Sequence, residues 1–267
     1  MNGSNTVFTA ISAAGNAVFL SGQTVVQYQL STAASPAVEI AGAEGSGLFG
    51  SNIAPARIKE LITDTTPASN FQADYAGVVN RSINAAGVVN SAFASSIATG
   101  ISAIPTFTNP ITGLVETNSL ALQLQTVARM VASAGTLGVK RQVFFVTLGG
   151  WDTHDFQNTT QPNLLAKVAH ALTYFDTALS SVGGIDMRSS VTAFTASDFS
   201  RSFTTNGDGT DHAWGGHHFV LGGAVHGGDM YGQYPTWGVD LGSFSNPDAT
   251  GTALIPTTSV DQYAATL

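Results

Sequence analysis

Asp and His gather in two short stretches of this chain, Asp152-Thr153-His154-Asp155 and Asp208-Gly209-Thr210-Asp211-His212. His154, His212, His217, His218 and His226, five of the six histidines, fall in or just after polar, Gly-rich segments of the second half. Carboxylate oxygen and neutral imidazole together suit a divalent ion: Zn, Mn or Ca first, with Cu as a further candidate. The candidate ligands are Asp152, His154, Asp211, His212, His217 and His226. Several such groups converging could hold paired ions about 4 Å apart, which bind both the attacking and the leaving oxygen of an ester displacement.

Each residue also has a plainer reading. Asp152 could cap the turn after a strand, and Asp211-His212 could form an Asx-turn with a surface imidazole. His217 and His218 are adjacent, so on a strand they would face opposite ways and at most one would reach a site. His226 is a ligand or a loop-packing residue. His170 sits one step off the apolar face of a helix and reads as a surface histidine. Asp198 and Arg201 lie three apart after a strand end. They are either a local capping or ion pair, or a catalytic pair in which Asp198 supports or binds a metal and Arg201 clamps a substrate oxyanion. Trp151, Trp214 and Trp237 could line a cleft, with packing the simpler role.

The elements that would position these groups are most regular in the second half. Arg141–Leu148 is a continuous apolar run, the mark of a strand buried on both faces. Pro162 opens a helix whose apolar face is Leu164, Val168, Leu172, Phe175, Leu179 and Val182, and a second buried strand covers 190–195. This strand–helix–strand unit is long enough for a right-handed parallel crossover, and ligands bind beyond the carboxyl ends of such strands. Ahead of it, Leu120, Leu124, Val127, Val131 and Ala134 predict a helix ended by Gly135 and Gly138. In the irregular front part (1–115) the pattern gives a hairpin or two short strands over 16–31, a flexible Gly-rich loop at 41–52 and a short helix at 54–61. A longer helix from Asn70 follows, with Phe71, Tyr75, Val78 and Val79 on one face, and then a surface loop over 100–115.

Composition narrows the partners. The 267 residues suit one α/β domain, with the metal-site core over 116–267. There is no cysteine, which removes thiolate ligands and disulfides. The net charge is -8 and the nine Lys and Arg are scattered, so nucleic acid is not expected. Only 10% of residues are charged, a neutral hydroxyl-rich surface of the kind exported proteins carry. No apolar run reaches the ~20 residues of a membrane span.

Four blocks in order resemble a known family: Leu148-Gly149-Gly150-Trp151-Asp152-Thr153-His154, Ser197-Asp198-Phe199-Ser200-Arg201, Gly209 through Gly223, and Tyr231-Gly232-Gln233-Tyr234-Pro235. That family consists of bacterial proteins exported by the twin-arginine route, with a sulfatase-like domain of unknown function, grouped with the alkaline phosphatase and sulfatase superfamily. The resemblance implies a doubly wound, mostly parallel sheet with helices on both faces and a bimetal ester-hydrolase site. It also implies a periplasmic or extracellular location. Asp152 with His154, then Asp211-His212, then one of His217, His218 or His226 follow the superfamily's ligand order. One residue separates Asp152 from His154 where the superfamily usually has three. Against the family pattern the chain reads as shortened at the amino terminus, with Thr6 and Thr9 as nucleophile candidates only by default.

The expected function is metal-dependent hydrolysis of a phosphate, sulfate or related ester on a small molecule or polysaccharide. Two alternatives use the same residues: a non-catalytic glycan- or surface-binding module, and a copper or iron oxidase.

Overall fold

The computed structural model describes residues 2, 6–40, 42–43, 48–66, 69–101, 103–235, 249–250 and 253–267. In chain order the elements are β1 (Ala10–Ser12), β2 (Tyr28–Gln29), α1 (Ala54–Thr63), α2 (Asn70–Phe93), α3 (Ser96–Thr99), β3 (Thr106–Thr108), β4 (Val115–Thr117) and α4 (Ser119–Ala132). Then follow β5 (Val143–Phe145), α5 (Gln157–Leu179), β6 (Ala193–Phe194), β7 (Ser200–Thr205), β8 (Thr210–Ala213), β9 (Val220–Leu221), β10 (Ala249–Thr250), β11 (Ala253–Leu254) and α6 (Val260–Thr266). The chain divides into two compact units, Met1–Ile104 with Ser119–Thr147 and Pro105–Asn118 with Leu148–Leu267. No helix among the described residues is long and apolar enough to cross a membrane.

The first unit holds a parallel three-stranded sheet in the order β2-β1-β5. All three residues of β1 are buried, because this strand is hydrogen-bonded on both edges. The apolar run from Arg141 gives only three residues to β5, and Val143 is exposed, since β5 pairs on one side alone. The doubly buried strand is therefore β1, whose Ala-Ile-Ser sequence is too short and mixed to announce it. No hairpin forms over 16–31. Val18–Leu20 is a turn of 3-10 helix, and β2 pairs in parallel with β1.

Helix α2 starts at Asn70, where Ser69 Oγ accepts from the Gln72 amide and satisfies one of the first-turn donors. Its buried stripe runs through Ala76, Val79, Ile83, Ala86 and Phe93. This corrects the expected face: Phe71 is 92% exposed, and Tyr75 and Val78 are exposed beside it. Val79 of the expected face is buried, and it is joined by Ile83, Val89 and Phe93 with alanines between them. Phe93, Val89 and Met130 centre a core that also takes Phe8, Ile11 and Leu30. Each such side chain contributes roughly 1.5–3 kcal/mol by leaving water.

In the second unit β3–β4, β6–β9, β7–β8 and β10–β11 are two-stranded antiparallel pairs. The 100–115 stretch, expected as a loop, thus includes β3 and the first residue of β4. β5 and β6 do not share a sheet, so the expected parallel crossover between them is not formed; β6 pairs with β9 instead. Helix α5 begins at Gln157, five residues before Pro162, which lies inside it. Leu164, Phe175 and Leu179 of the expected apolar face are buried. His170 is half-buried, its Nδ1 3.1 Å from Asn118 Nδ2 and its ring against Phe107. The surface role expected for it gives way to packing under β3–β4.

Candidate metal centre

The site is built by a hairpin turn pressed onto the loop that leads into α5. β7 and β8 pair antiparallel with Arg201 opposite His212, and residues 206–209 turn between them. The turn closes on itself through Asn206 N donating to Gly209 O and Gly209 N donating to Asn206 Oδ1. It then grips the neighbouring loop. Asn206 Nδ2 donates to His154 O at 3.0 Å, Thr210 N to Thr153 O at 3.4 Å, and Gln157 N to Asp208 O at 3.2 Å. The last bond satisfies the first amide of α5, which is why the helix starts there. Gly209 makes the approach possible: a Cβ on it would lie 2.3 Å from the carbonyl oxygens of both Thr153 and His154. Only a residue without a side chain fits.

Asp152 and His154 are two apart on a tight turn in which Thr153 N donates to Trp151 O at 2.9 Å, and Thr153 between them is buried. His212 arrives from β8. Asp152 Oδ1 lies 2.8 Å from His212 Nε2 and 3.0 Å from His154 Nε2, and the two Nε2 atoms are 3.1 Å apart. The three atoms form a near-equilateral triangle. Two imidazole donors cannot both aim a proton at one oxygen from so close together, and a pair sharing one proton leaves lone pair facing lone pair. A single cation satisfies all three atoms. Ligand atoms about 2.1 Å from one ion stand roughly 3.0–3.4 Å from one another, close to the observed edges. The donor set therefore could hold a metal ion.

Arg201 and Asp211 serve this triangle from behind. The Arg201 side chain is only 14% exposed, and its fork donates to Asp152 Oδ1 at 2.9 Å, to Thr210 Oγ1 at 3.0 Å and to the Thr210 carbonyl. Arg201 first, and His212 second, hold the Asp152 carboxyl below the usual carboxylate range. Asp211 Oδ1 lies 3.3 Å from His154 Nδ1. A carboxylate at that distance attracts a proton on Nδ1, which favours the tautomer with its lone pair on Nε2, and is the usual second partner of a metal-bound histidine. Asp211, expected as a ligand, lies beside His154 and outside the three-residue group.

The other candidates are elsewhere. Asp198 is exposed and makes no ion pair with Arg201, whose fork is turned to Asp152. His217 stacks on Tyr234 and His218 on Tyr263, at 5.4 and 5.6 Å between ring centres. Partial burial, then the neighbouring His217, lowers the His218 pKa. His226 is exposed, and its carbonyl accepts from Tyr231. None of these three imidazoles joins Asp152, His154 and His212. Trp237 lies outside the described residues. The clasp residues Asn206, Gly209 and Gln157 were not expected, although Asn206-Gly207 between two β-rich runs is itself a hairpin signal.

A family model described as a protein of unknown function (DUF1501) matches residues 95–266. Neither the curated proteins nor the solved structures searched include a match to the chain. The matched stretch covers the three triangle residues, the clasp and Arg201, and by it the chain belongs to the DUF1501 family.

Proposed function

We propose that the second unit binds a divalent cation on Asp152 Oδ1, His154 Nε2 and His212 Nε2 and hydrolyses phosphate, sulfate or related esters there. The observation that carries this reading is the triangle itself: one carboxylate oxygen and two imidazole nitrogens within 3.1 Å of one another, a set that protons satisfy poorly and one cation satisfies fully. Three protein ligands with the remaining positions open is the pattern of catalytic rather than structural sites. A cation held there supplies Lewis acidity to an ester oxygen. The chain's own residues do the rest. Arg201 keeps Asp152 ionised and aimed, Asp211 fixes the His154 tautomer, and the 206–209 turn sets the spacing between the two strands of ligands.

The proposal includes membership in the alkaline phosphatase and sulfatase superfamily, with its doubly wound sheet, and export by the twin-arginine route. What supports it is the order Asp-x-His, then Asp-His, and the parallel β2-β1-β5 sheet. A single cation is supported better than a pair, since the described residues offer one three-ligand group.

Elemental analysis of the purified protein tests the site, with Asp152→Ala and His212→Ala alongside. The expected result is one equivalent of divalent metal in the parent and loss in both variants. Equal metal in all three overturns the site. Release of 4-nitrophenol from its phosphate and sulfate esters tests the activity; turnover that survives exhaustive chelation overturns the enzyme.

A further inference from the structure

Both imidazoles of the triangle are followed, two residues on, by an exposed aromatic side chain. Phe156 follows His154 and is 67% exposed; Trp214 follows His212 and is 76% exposed. Two residues of chain span at most about 7 Å, so each ring is rooted within that distance of a ligand's Cα. Packing explains neither. Phe156 also holds φ at 53°, the left-handed region, where a bulky side chain is strained and Gly or Asn is the ordinary choice. Trp214 is carried by firm backbone: the next amide, Gly215 N, donates to Leu254 O at 3.1 Å, and a Cβ at 215 would meet that same oxygen at 3.1 Å. A third ring, Phe199, packs 4.7 Å from that of His212.

The polar groups around these rings narrow what they recognise. Asp155 and Asp208 are exposed on the same two segments, and residues 151–157 and 206–214 contain no Lys or Arg. Arg201, 5.7 Å from the Phe199 ring, is 14% exposed and paired with Asp152, so a polyanion would meet the carboxylates of these segments with no free cation on them. A purely apolar partner would leave those carboxylates facing it unpaired. A neutral sugar fits both features, because the C–H face of a pyranose lies flat on an aromatic ring while its hydroxyls donate to carboxylates.

We infer that Phe156 and Trp214 bind a neutral pyranose of a glycan and so present an ester carried by that sugar to the triangle. The ester part rests on the hydrolase reading above; the sugar part does not. Native gels cast with hydroxyethylcellulose, dextran or arabinoxylan test it. The parent protein should be retarded in at least one, and Phe156→Gly with Trp214→Ala should lose about tenfold or more of that apparent affinity. Both side chains are exposed and Phe156→Gly relieves a left-handed residue, so the double variant should melt no lower than the parent. A parent that runs unretarded in all three gels, or a double variant retarded as strongly as the parent, overturns the inference. Metal content reports on the hydrolase reading separately.

Discussion

Gly209→Ala should loosen the clasp and the triangle together. The new methyl would stand 2.3 Å from two carbonyl oxygens and 2.4 Å from the His154 carbonyl carbon. An ordinary carbon–oxygen contact is nearer 3.2 Å, so the turn and the loop must part by about 1 Å. Both partners are backbone, which cannot swing aside as a flexible side chain would. Crowding of this kind costs about 1–3 kcal/mol. The bonds from Asn206 Nδ2 to His154 O and from Thr210 N to Thr153 O would stretch with it, each losing roughly 0.5–1.5 kcal/mol. The sum is about 2–6 kcal/mol, or a fall in Tm on the order of 5–20 °C. The same 1 Å far exceeds the ~0.2 Å tolerance of a metal–ligand bond, so zinc affinity should fall at least tenfold. Thermal melting and competition with a chromophoric chelator read the two effects. Gly149→Ala is the control, since a Cβ there meets nothing within 4 Å. If Gly209→Ala melts and binds zinc like that control, the clasp does not position the site.

Three further outcomes follow from the same geometry. Asp211→Asn should keep zinc but weaken it about 10–100-fold, as loss of an orienting carboxylate does, whereas His212→Ala should abolish binding; equal loss in both would make Asp211 a direct ligand. Arg201→Lys removes the fork, so the Asp152 carboxyl, watched by carbon NMR, should titrate at higher pH than in the parent. The stabilisation given by the lowered Asp152 pKa is present above the unfolded value of ~3.9 and fades as pH falls through the folded value, so the variant should lose stability above that range; an unmoved midpoint counts against the pairing. Asp186 is pulled down to about 2 by Arg188, and its carboxyl should stay ionised to near that pH; a midpoint near 4 would refute the pair.

The triangle was legible because its chemistry is local. Asp152, His154 and His212 were among six candidates picked by type and spacing, and Asp211, His217 and His226, picked on the same grounds, do not join the three-residue group. Which member of Asp211-His212 joins Asp152 and His154 was not legible, because alternation along β8 decides it and the register with β7 is a tertiary fact. Helix α2 was found but its face was not. Polar residues interrupt the pattern, and the buried stripe runs through Ala76, Val79, Ile83, Ala86 and Phe93, so that Phe71 and Tyr75 in the first two turns fall outside it. The start of α5 was misread for a similar reason. Pro162 is a strong local signal, yet the Asp208 carbonyl, about 50 residues away in sequence, satisfies the Gln157 amide and lets the helix begin earlier. The short strands carry too few residues for any alternating pattern to show.

The side chains of the triangle come from two stretches nearly sixty residues apart, joined at the site by a few hydrogen bonds and one bare glycine contact. An ion there would act as a rivet across that seam, adding stability in proportion to the logarithm of its free concentration over Kd. Stripping the metal should then open this seam ahead of the rest of the chain. Protease cuts between 150 and 157 or between 205 and 210 would appear before the melting of the first unit changes. A calibrated chelator could thus dial the stability of one joint while leaving the Phe93 and Met130 core untouched.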